Sequence, residues 1–137
     1  MVQKKINIII PSVKISEELI VCLKGIDKLN YKNFIVSIVL DKKNKKKLPK
    51  TKFKTHIIVS GKINMSEKRN IAARKFNSKY IAFIDSDAYP DKNWLKNAVK
   101  YLSNKSIHAV GGPDVPFKKQ TYSEKITYLC HGSFFVS

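Results

Sequence analysis

The sequence contains very little arginine, and this limits what its charge can mean. Arg69 and Arg74 are the two arginines among 27 basic residues, so 27 − 2 = 25 are lysines, and with 10 acidic residues the net charge is +17. Sequence-specific readers of nucleic acid rely on the bidentate fork of arginine. We therefore expect no nucleic-acid partner for this chain. A basic module that binds polyanions through charge alone is an alternative that the composition leaves open.

The lysines are densest between residues 42 and 54, which read KKNKKKLPKTKFK. Such a run is typical of a solvated loop. It is also typical of a patch that binds anionic lipid or polyanion, since each lysine near a membrane surface contributes about 1 kcal/mol to the free energy of binding. A biased composition of the source organism is a third explanation.

Cysteine and long apolar runs are also scarce. Cys22 and Cys130 are far apart and form neither a CxxC nor a metal-binding spacing, so we expect buried thiols in a reducing compartment. The longest apolar runs fall far short of the roughly 20 residues that span a bilayer, and the N-terminus lacks the features of a signal peptide. These absences predict a cytoplasmic protein, with association at the cytoplasmic face of an anionic membrane left open by the lysine run.

Glycine-rich phosphate loops are missing as well. Neither GxGxxG nor GxxxxGK[ST] occurs among the 137 residues, and these motifs cradle phosphates with backbone N–H groups. A nucleotide bound by this chain must therefore be held by side chains and a metal ion.

The apolar residues that are present alternate between strand-like and helix-like segments. At 43% hydrophobic residues the chain is globular, and its length predicts one domain over residues 1–137. Helices are predicted to begin after Ser16, near Ser66 and after Asp91, the second ending around 77–78. This order predicts an α/β fold with a mostly parallel sheet and helices on both faces. The five predicted strands are 6–10, 34–40, 55–59, 80–84 and 107–110, of which 80–84 reads as buried on both faces.

Acidic residues follow two of these strands. Asp85 and Asp87 come directly after 80–84, and Asp41 follows 34–40, while Pro11 and Ser12 end the first strand. Open parallel sheets bind ligands at the carboxyl ends of their strands, and paired carboxylates suit Mg²⁺ or a similar ion on a diphosphate. For an isolated Asp-x-Asp, an ordinary turn is the competing interpretation.

Longer motifs around these acids support the ligand interpretation. INIIIP, LDKK, KRNIAARKF, YIAFIDSDAYPDKNWL and AVGGPDVP together resemble a family 2 glycosyltransferase of the GT-A fold, over about residues 6 to 116. The resemblance implies a Rossmann-like nucleotide-sugar-binding fold and metal-dependent transfer of a sugar, usually a hexose from a UDP-sugar, with inversion. It implies Mn²⁺ or Mg²⁺ as cofactor.

The resemblance also implies roles for single residues. Asp41 would contact the nucleobase, Asp85 the ribose or donor, and Asp87 the metal on the diphosphate. Arg69 would help hold the nucleotide. The donor-binding set is Pro11, Ser12, Asp41, Arg69 and Asp85, and the metal set is Asp87 and Asp85.

The sequence departs from the family pattern in three places. Val13-Lys14 replaces the usual aromatic-Asn pair, and Asp41 is followed by lysines instead of Asp-Gly-Ser. The family's catalytic base is an acid further along, and neither Asp114 nor Glu124 lies in a matching context, so we expect the base beyond Ser137. Since residues 133–136 read as the start of an element, we expect the chain to be incomplete at its C-terminal side and weak or inactive in transfer.

Two points stay open from the sequence. The acceptor can be a saccharide, a lipid or a protein, as in polysaccharide, glycolipid or glycoprotein synthesis. A nucleotidyltransferase is the second alternative function, because it can share this fold and this use of a metal while releasing pyrophosphate from a nucleoside triphosphate.

Overall fold

Four parallel strands form the centre of the structure, a computed structural model that describes residues 5–43, 46–112, 121–123 and 126. The strands are β1 (Ile6–Pro11), β2 (Phe34–Leu40), β3 (Lys54–Val59) and β4 (Tyr80–Phe83), in the order β3-β2-β1-β4. The β1–β2, β2–β3 and β1–β4 pairs are all parallel. The helices are α1 (Glu17–Ile26), α2 (Met65–Lys75) and α3 (Trp94–Leu102).

Helix α1 and helix α3 cover one face of the sheet. Ser16 caps α1 as predicted, its hydroxyl accepting from the Leu19 N–H, and two glutamates in the first turn complement the helix dipole. The apolar stripe of α1 packs with Leu95 of α3 against the sheet. The buried members from the two central strands are Ile6, Ile8, Ile10, Val36, Ile38 and Leu40.

Helix α2 covers the opposite face. Its Ala72 is fully buried and packs with Ile9, Val39 and Ile58. Asn7 links the helix to the sheet, because its side-chain N–H donates to the Ala72 carbonyl at 3.2 Å while its oxygen accepts from the Ser37 hydroxyl at 2.7 Å. The predicted α/β architecture, with a parallel sheet and helices on both faces, is therefore confirmed.

The prediction that 80–84 is buried on both faces is wrong. Tyr80 and Ala82 pack against the α1 face, but Ile81 and Phe83 are 44% and 51% exposed. These two residues are aligned with Asn7 and Ile9 on the α2 face, and α2 lies over β1 and β2. A run of apolar residues predicts a strand without telling which of its faces is covered.

The predicted fifth strand, 107–110, is also absent. These residues follow α3 in irregular backbone and are mostly exposed, because within the described part of the chain no strand pairs with them. A strand-like composition needs a neighbour to supply hydrogen bonds before it forms a strand.

Helix boundaries differ from prediction at two places. Asn93, not Asp91, is the N-cap residue of α3, while Asp91 accepts from the Asn93 N–H and forms the preceding turn. Helix α2 ends at Lys75, earlier than 77–78, because Phe76 already has extended backbone.

Some predictions concern residues outside the described ranges. They are the buried thiol of Cys130, the element beginning at 133–136, and the contexts of Asp114 and Glu124. Cys22, by contrast, is a buried free thiol as predicted. Among the helices of the described residues, none has the length and hydropathy required to cross a membrane.

Candidate functional site

The carboxyl ends of β1, β2 and β4 meet at one edge of the sheet because all three strands are parallel. The chain segments that leave β1 and β2 stay joined beyond the strands. The Ser12 N–H donates to the Val39 carbonyl at 2.9 Å, and the Asp41 N–H donates to the Val13 carbonyl at 3.3 Å. Beyond β4, the Ile84 N–H donates to the Ile9 carbonyl. The segments that carry Ser12, Asp41 and Asp85 therefore leave the sheet at one edge, and hydrogen bonds fix their backbones there. We call this edge the rim.

At this rim Asp41 forms an ion pair that the sequence analysis did not predict. Lys68 Nζ contacts Asp41 Oδ1, and it also donates to the Ser12 carbonyl at 2.6 Å. The Lys68 side chain is fully buried, and that of Asp41 is 18% exposed. Helix α2 thus ties the end of β1 to the end of β2 through one buried ammonium group.

Lys68 had a signal in the sequence. It precedes the buried Ala72 by four residues, and residues four apart lie on the same face of a helix. A lysine on the buried stripe of a helix is an exception to the rule that lysines are exposed.

The second ion pair of the rim joins α2 to the segment after β4. Arg69 Nη2 donates to Asp85 Oδ1 at 2.6 Å. The Arg69 and Asp85 side chains are 29% and 64% exposed, so water screens this pair and its contribution to stability is small. An exposed pair of this kind leaves both groups within reach of a ligand.

Asp87 is exposed and lies close enough to Cys22 of α1 to affect its ionisation. Burial raises the pKa of the Cys22 thiol to about 12, and the negative charges of Asp87 and Asp85 add to the effect. The thiol is therefore protonated at neutral pH, and its sulfur lies 3.7 Å from the Asp85 carbonyl as a weak donor. Helix α1 supports the back of the Asp85–Asp87 turn in this way.

The segment after Asp87 rests on α1 as well. A Cβ at Gly25 would lie 2.9 Å from Pro90 Cδ and from two ring carbons of Tyr89. Only a residue without a side chain allows this close approach. Cys22 and Gly25, one turn apart on α1, thus contact the two ends of the segment from Asp85 to Pro90, which we call the acidic segment.

The residues present fit a divalent cation that is shared with a ligand. The part of the chain that the structure describes contains no cluster of three or more acidic, histidine or cysteine side chains able to hold a metal alone. Asp85 and Asp87 are two exposed carboxylates on one turn, and Mg²⁺ commonly takes one or two carboxylates plus phosphate oxygens. The donor set therefore suits a metal bound together with a diphosphate.

Pro11 and Ser12 are both buried at the rim, with Ser12 5% exposed. Their backbone, and not the Ser12 hydroxyl, faces the other rim groups, because that hydroxyl donates to the Lys14 carbonyl. A separate cavity of about 230 Å³ contains none of these residues and is lined by Lys24, Asp27, Lys28, Pro49, Lys50 and Thr51.

Comparisons with known proteins agree with this geometry. The model of the family described as Glycosyl transferase family 2 matches residues 7–130. No curated protein sequence matched the chain.

Solved structures share the fold at low sequence identity. S. aureus TarS 1–349 superposes with a TM-score of 0.61 at 21% identity, covering 82% of this chain and 38% of that one. The mannosyltransferase PcManGT from Pyrobaculum calidifontis, in complex with GDP-Man and Mn²⁺, gives a TM-score of 0.66 at 17% identity, with 78% and 34% covered. TarS 1–349 in complex with UDP-GlcNAc gives 0.60 at 21% identity, with 82% and 37% covered. The chain thus has the fold of these transferases and spans less than two fifths of their length.

Proposed function

Because the chain belongs to glycosyl transferase family 2, we propose that it is the nucleotide-binding part of an enzyme that moves a sugar from a nucleotide-sugar donor to an acceptor hydroxyl. The observation that carries the proposal is the meeting of Asp41, Arg69 and the Asp85–Asp87 turn at the carboxyl edge of a parallel sheet. In open parallel sheets this edge is where ligands bind. The donor is a UDP-sugar, and transfer proceeds with inversion.

In this proposal the carboxylate of Asp41 accepts a hydrogen bond from the nucleobase of the donor. A carboxylate accepts hydrogen bonds and donates none, so it selects a base that presents a ring N–H. Uracil has one at N3 and guanine has one at N1. The relatives with bound donors, TarS with UDP-GlcNAc and PcManGT with GDP-Man, contain these two bases, which supports the assignment.

Asp85 and Asp87 would hold Mn²⁺ or Mg²⁺ together with the donor diphosphate. The metal, when bound, supplies Lewis-acid stabilisation of the negative charge that grows on the leaving nucleoside diphosphate. Arg69 adds a second positive charge, because its guanidinium already lies beside Asp85. Two cationic groups at a developing negative charge stabilise the transition state more than the ground state.

Cys22 takes no part in the chemistry. A thiol with a pKa of about 12 is not a nucleophile at neutral pH, since the thiolate is the reactive form. The acceptor is a saccharide, lipid or protein hydroxyl. The nucleotide-binding unit is one domain over 1–137.

The net charge of +17 favours the polyanion-binding module as the second candidate function. It predicts binding of heparin or nucleic acid whose affinity falls steeply with salt and does not depend on metal. An affinity for heparin or nucleic acid that does not change with salt concentration would rule out this candidate. Release of pyrophosphate from a nucleoside triphosphate, and not of UDP from a UDP-sugar, would instead identify a nucleotidyltransferase.

Calorimetric titration of UDP with and without Mn²⁺ tests the proposal on wild type, Asp87→Asn and Asp91→Asn. Asp91 is the matched control, because it is a neighbouring acid whose side chain accepts from the Asn93 N–H, and an asparagine oxygen keeps that hydrogen bond. We expect Mn²⁺-dependent UDP binding in wild type and in Asp91→Asn, and a loss of about tenfold or more in Asp87→Asn. Folded wild type that binds no UDP, or equal binding in all three, would contradict the proposal.

A further inference from the structure

Lys68 is the one charged residue among the buried side chains of the described ranges. It lies in the first turns of α2, whose N-terminal end reaches the carboxyl edge of the sheet because α2 connects the parallel strands β3 and β4. The Lys68 side chain has no exposed surface. It therefore cannot be a solvated lysine like most others in the chain.

Stability alone does not explain a lysine at this position. Removing an ammonium group from water is costly, and replacing a buried ion pair with well-packed apolar residues is often neutral or stabilising. The pair with Asp41 is also asymmetric, since Lys68 is fully enclosed while part of the carboxylate is open to solvent. This asymmetry suits a pair in which the lysine orients and the aspartate meets a ligand.

The contacts fix the orientation of the carboxylate. Lys68 Nζ binds Oδ1 of Asp41 and the carbonyl of Ser12, and the Asp41 backbone N–H is bonded to the Val13 carbonyl. With its backbone and one carboxylate oxygen held, Asp41 keeps Oδ2 as the oxygen not engaged by Lys68. One free oxygen with a fixed direction is the receptor for a single N–H donor.

We infer that Lys68 is a positioning residue that selects the donor base by holding Asp41 so that Oδ2 accepts one ring N–H. The inference rests on the proposed function. Uridine offers N3–H at that place. Cytidine offers at N3 an unprotonated nitrogen whose lone pair repels the carboxylate, and discrimination by such an unmatched polar group is strong. Without Lys68 the carboxylate is free to turn, so selectivity between the bases decreases.

The test compares the affinities of UDP and CDP, both with Mn²⁺, in wild type and Lys68→Met. Methionine keeps the unbranched length of the side chain and removes the charge. Lys75→Met is the matched control, an exposed lysine of the same helix. We expect UDP affinity to fall about tenfold in Lys68→Met, as for a lost charged hydrogen bond, with CDP affinity little changed. The UDP-to-CDP ratio then collapses, while Lys75→Met keeps the wild-type ratio.

Several outcomes would overturn the inference. Equal losses for UDP and CDP in Lys68→Met would leave the affinity ratio unchanged and show a merely structural lysine, and no loss for either nucleotide would show that Asp41 does not need Lys68. If Lys68→Met does not fold, Asp41→Asn and Asp41→Asn/Lys68→Met are compared instead. Because Lys68 acts only through Asp41, the single and the double variant must have the same ratio of UDP affinity to CDP affinity. A difference above about threefold between their ratios contradicts the inference. Wild type that binds neither nucleotide contradicts the proposed function itself, which is a separate result.

Discussion

At the scale of residues, the site combines a buried and an exposed ion pair on adjacent positions of α2. Lys68 is enclosed beside Asp41, whereas Arg69 reaches the open Asp85 carboxylate. Salt screens the exposed pair far more than the buried one. The two pairs therefore have different tasks in our account: Lys68 fixes geometry, and Arg69 offers a charge to the diphosphate.

Replacing Arg69 with glutamine should weaken the binding of UDP and leave that of uridine unchanged, because the guanidinium acts on the diphosphate. Arg74→Gln is the matched control, since the chain has one other arginine and it lies exposed on the same helix. We expect a loss of about tenfold for UDP in Arg69→Gln and none in Arg74→Gln, measured by calorimetry with Mn²⁺. Equal losses for uridine and UDP would place Arg69 at the base instead.

The Cys22 thiol should be unreactive in the folded protein. Its pKa is raised to about 12 from an ordinary value of 9.0, mainly by burial, so the reactive thiolate is almost absent at pH 8. We expect Ellman's reagent to label a Cys130→Ser variant at pH 8 only as fast as the protein unfolds. Immediate labelling without denaturant would contradict the burial of Cys22.

The same shift has a consequence for stability. Because the folded-state pKa lies above the unfolded one, the unfolded chain loses the proton first as the pH rises. The stabilisation that Cys22 contributes is complete below pH 9 and is lost between pH 9 and 12. Compared with Cys22→Ala, wild type should therefore lose additional free energy of unfolding in that interval.

At the scale of elements, α1 supports the acidic segment that follows β4. Cys22 contacts the Asp85 carbonyl, and Gly25 leaves space for Tyr89 and Pro90. A helix that is remote in sequence thus determines where the carboxylates lie. A substitution at Gly25, in the last turn of α1, tests this dependence.

Gly25→Ala should destabilise the protein. In an open helix this substitution stabilises by about 1 kcal/mol, but here the new Cβ would lie 2.9 Å from Tyr89 and Pro90, and overpacking costs about 1–3 kcal/mol. We expect a lower urea midpoint and weaker Mn²⁺-dependent UDP binding, because the segment after Asp87 must shift. Higher stability with unchanged binding would show that the close approach is not needed.

The elements that the sequence predicted correctly are those whose burial follows from local pattern. The apolar runs of β1 and β2 and the Ser16 cap of α1 are local signals, and they led to the parallel sheet. Ile81 and Phe83 were misjudged because their exposure depends on where α2 lies. Residues 107–110 have the composition of a strand, but hydrogen-bond partners are a property of the fold. Lys68 was missed because its position, four residues before Ala72, indicates burial only when the covered face of α2 is known.

At the scale of the whole molecule, β4 has a half-exposed apolar face in the part of the chain that the structure describes. Within the described residues β4 is an edge strand, and Ile81 and Phe83 are about half exposed on its α2 face. Exposed edges and contiguous apolar patches promote association between chains. The net charge of +17 opposes that association at low salt and opposes it less when salt screens the charge.

Phe83→Ser should therefore reduce the binding of an apolar fluorescent dye and the self-association of the chain at high salt. Tyr101→Ser is the control, because Tyr101 on α3 is a similarly exposed aromatic residue, 58% exposed, away from β4. Sedimentation velocity at low and high salt checks the prediction. Equal effects of the two substitutions would show that the β4 face has no special role.

The most direct test of the proposed function is a crystal structure of the protein with UDP and Mn²⁺, in which the anomalous signal of manganese locates the ion. We expect manganese between Asp87 and the diphosphate, Arg69 beside the phosphates, and the uracil N3–H donating to Asp41. UDP bound elsewhere, for example among Lys24, Lys28 and Lys50 of the separate cavity, would contradict the proposed function and favour the polyanion-binding module.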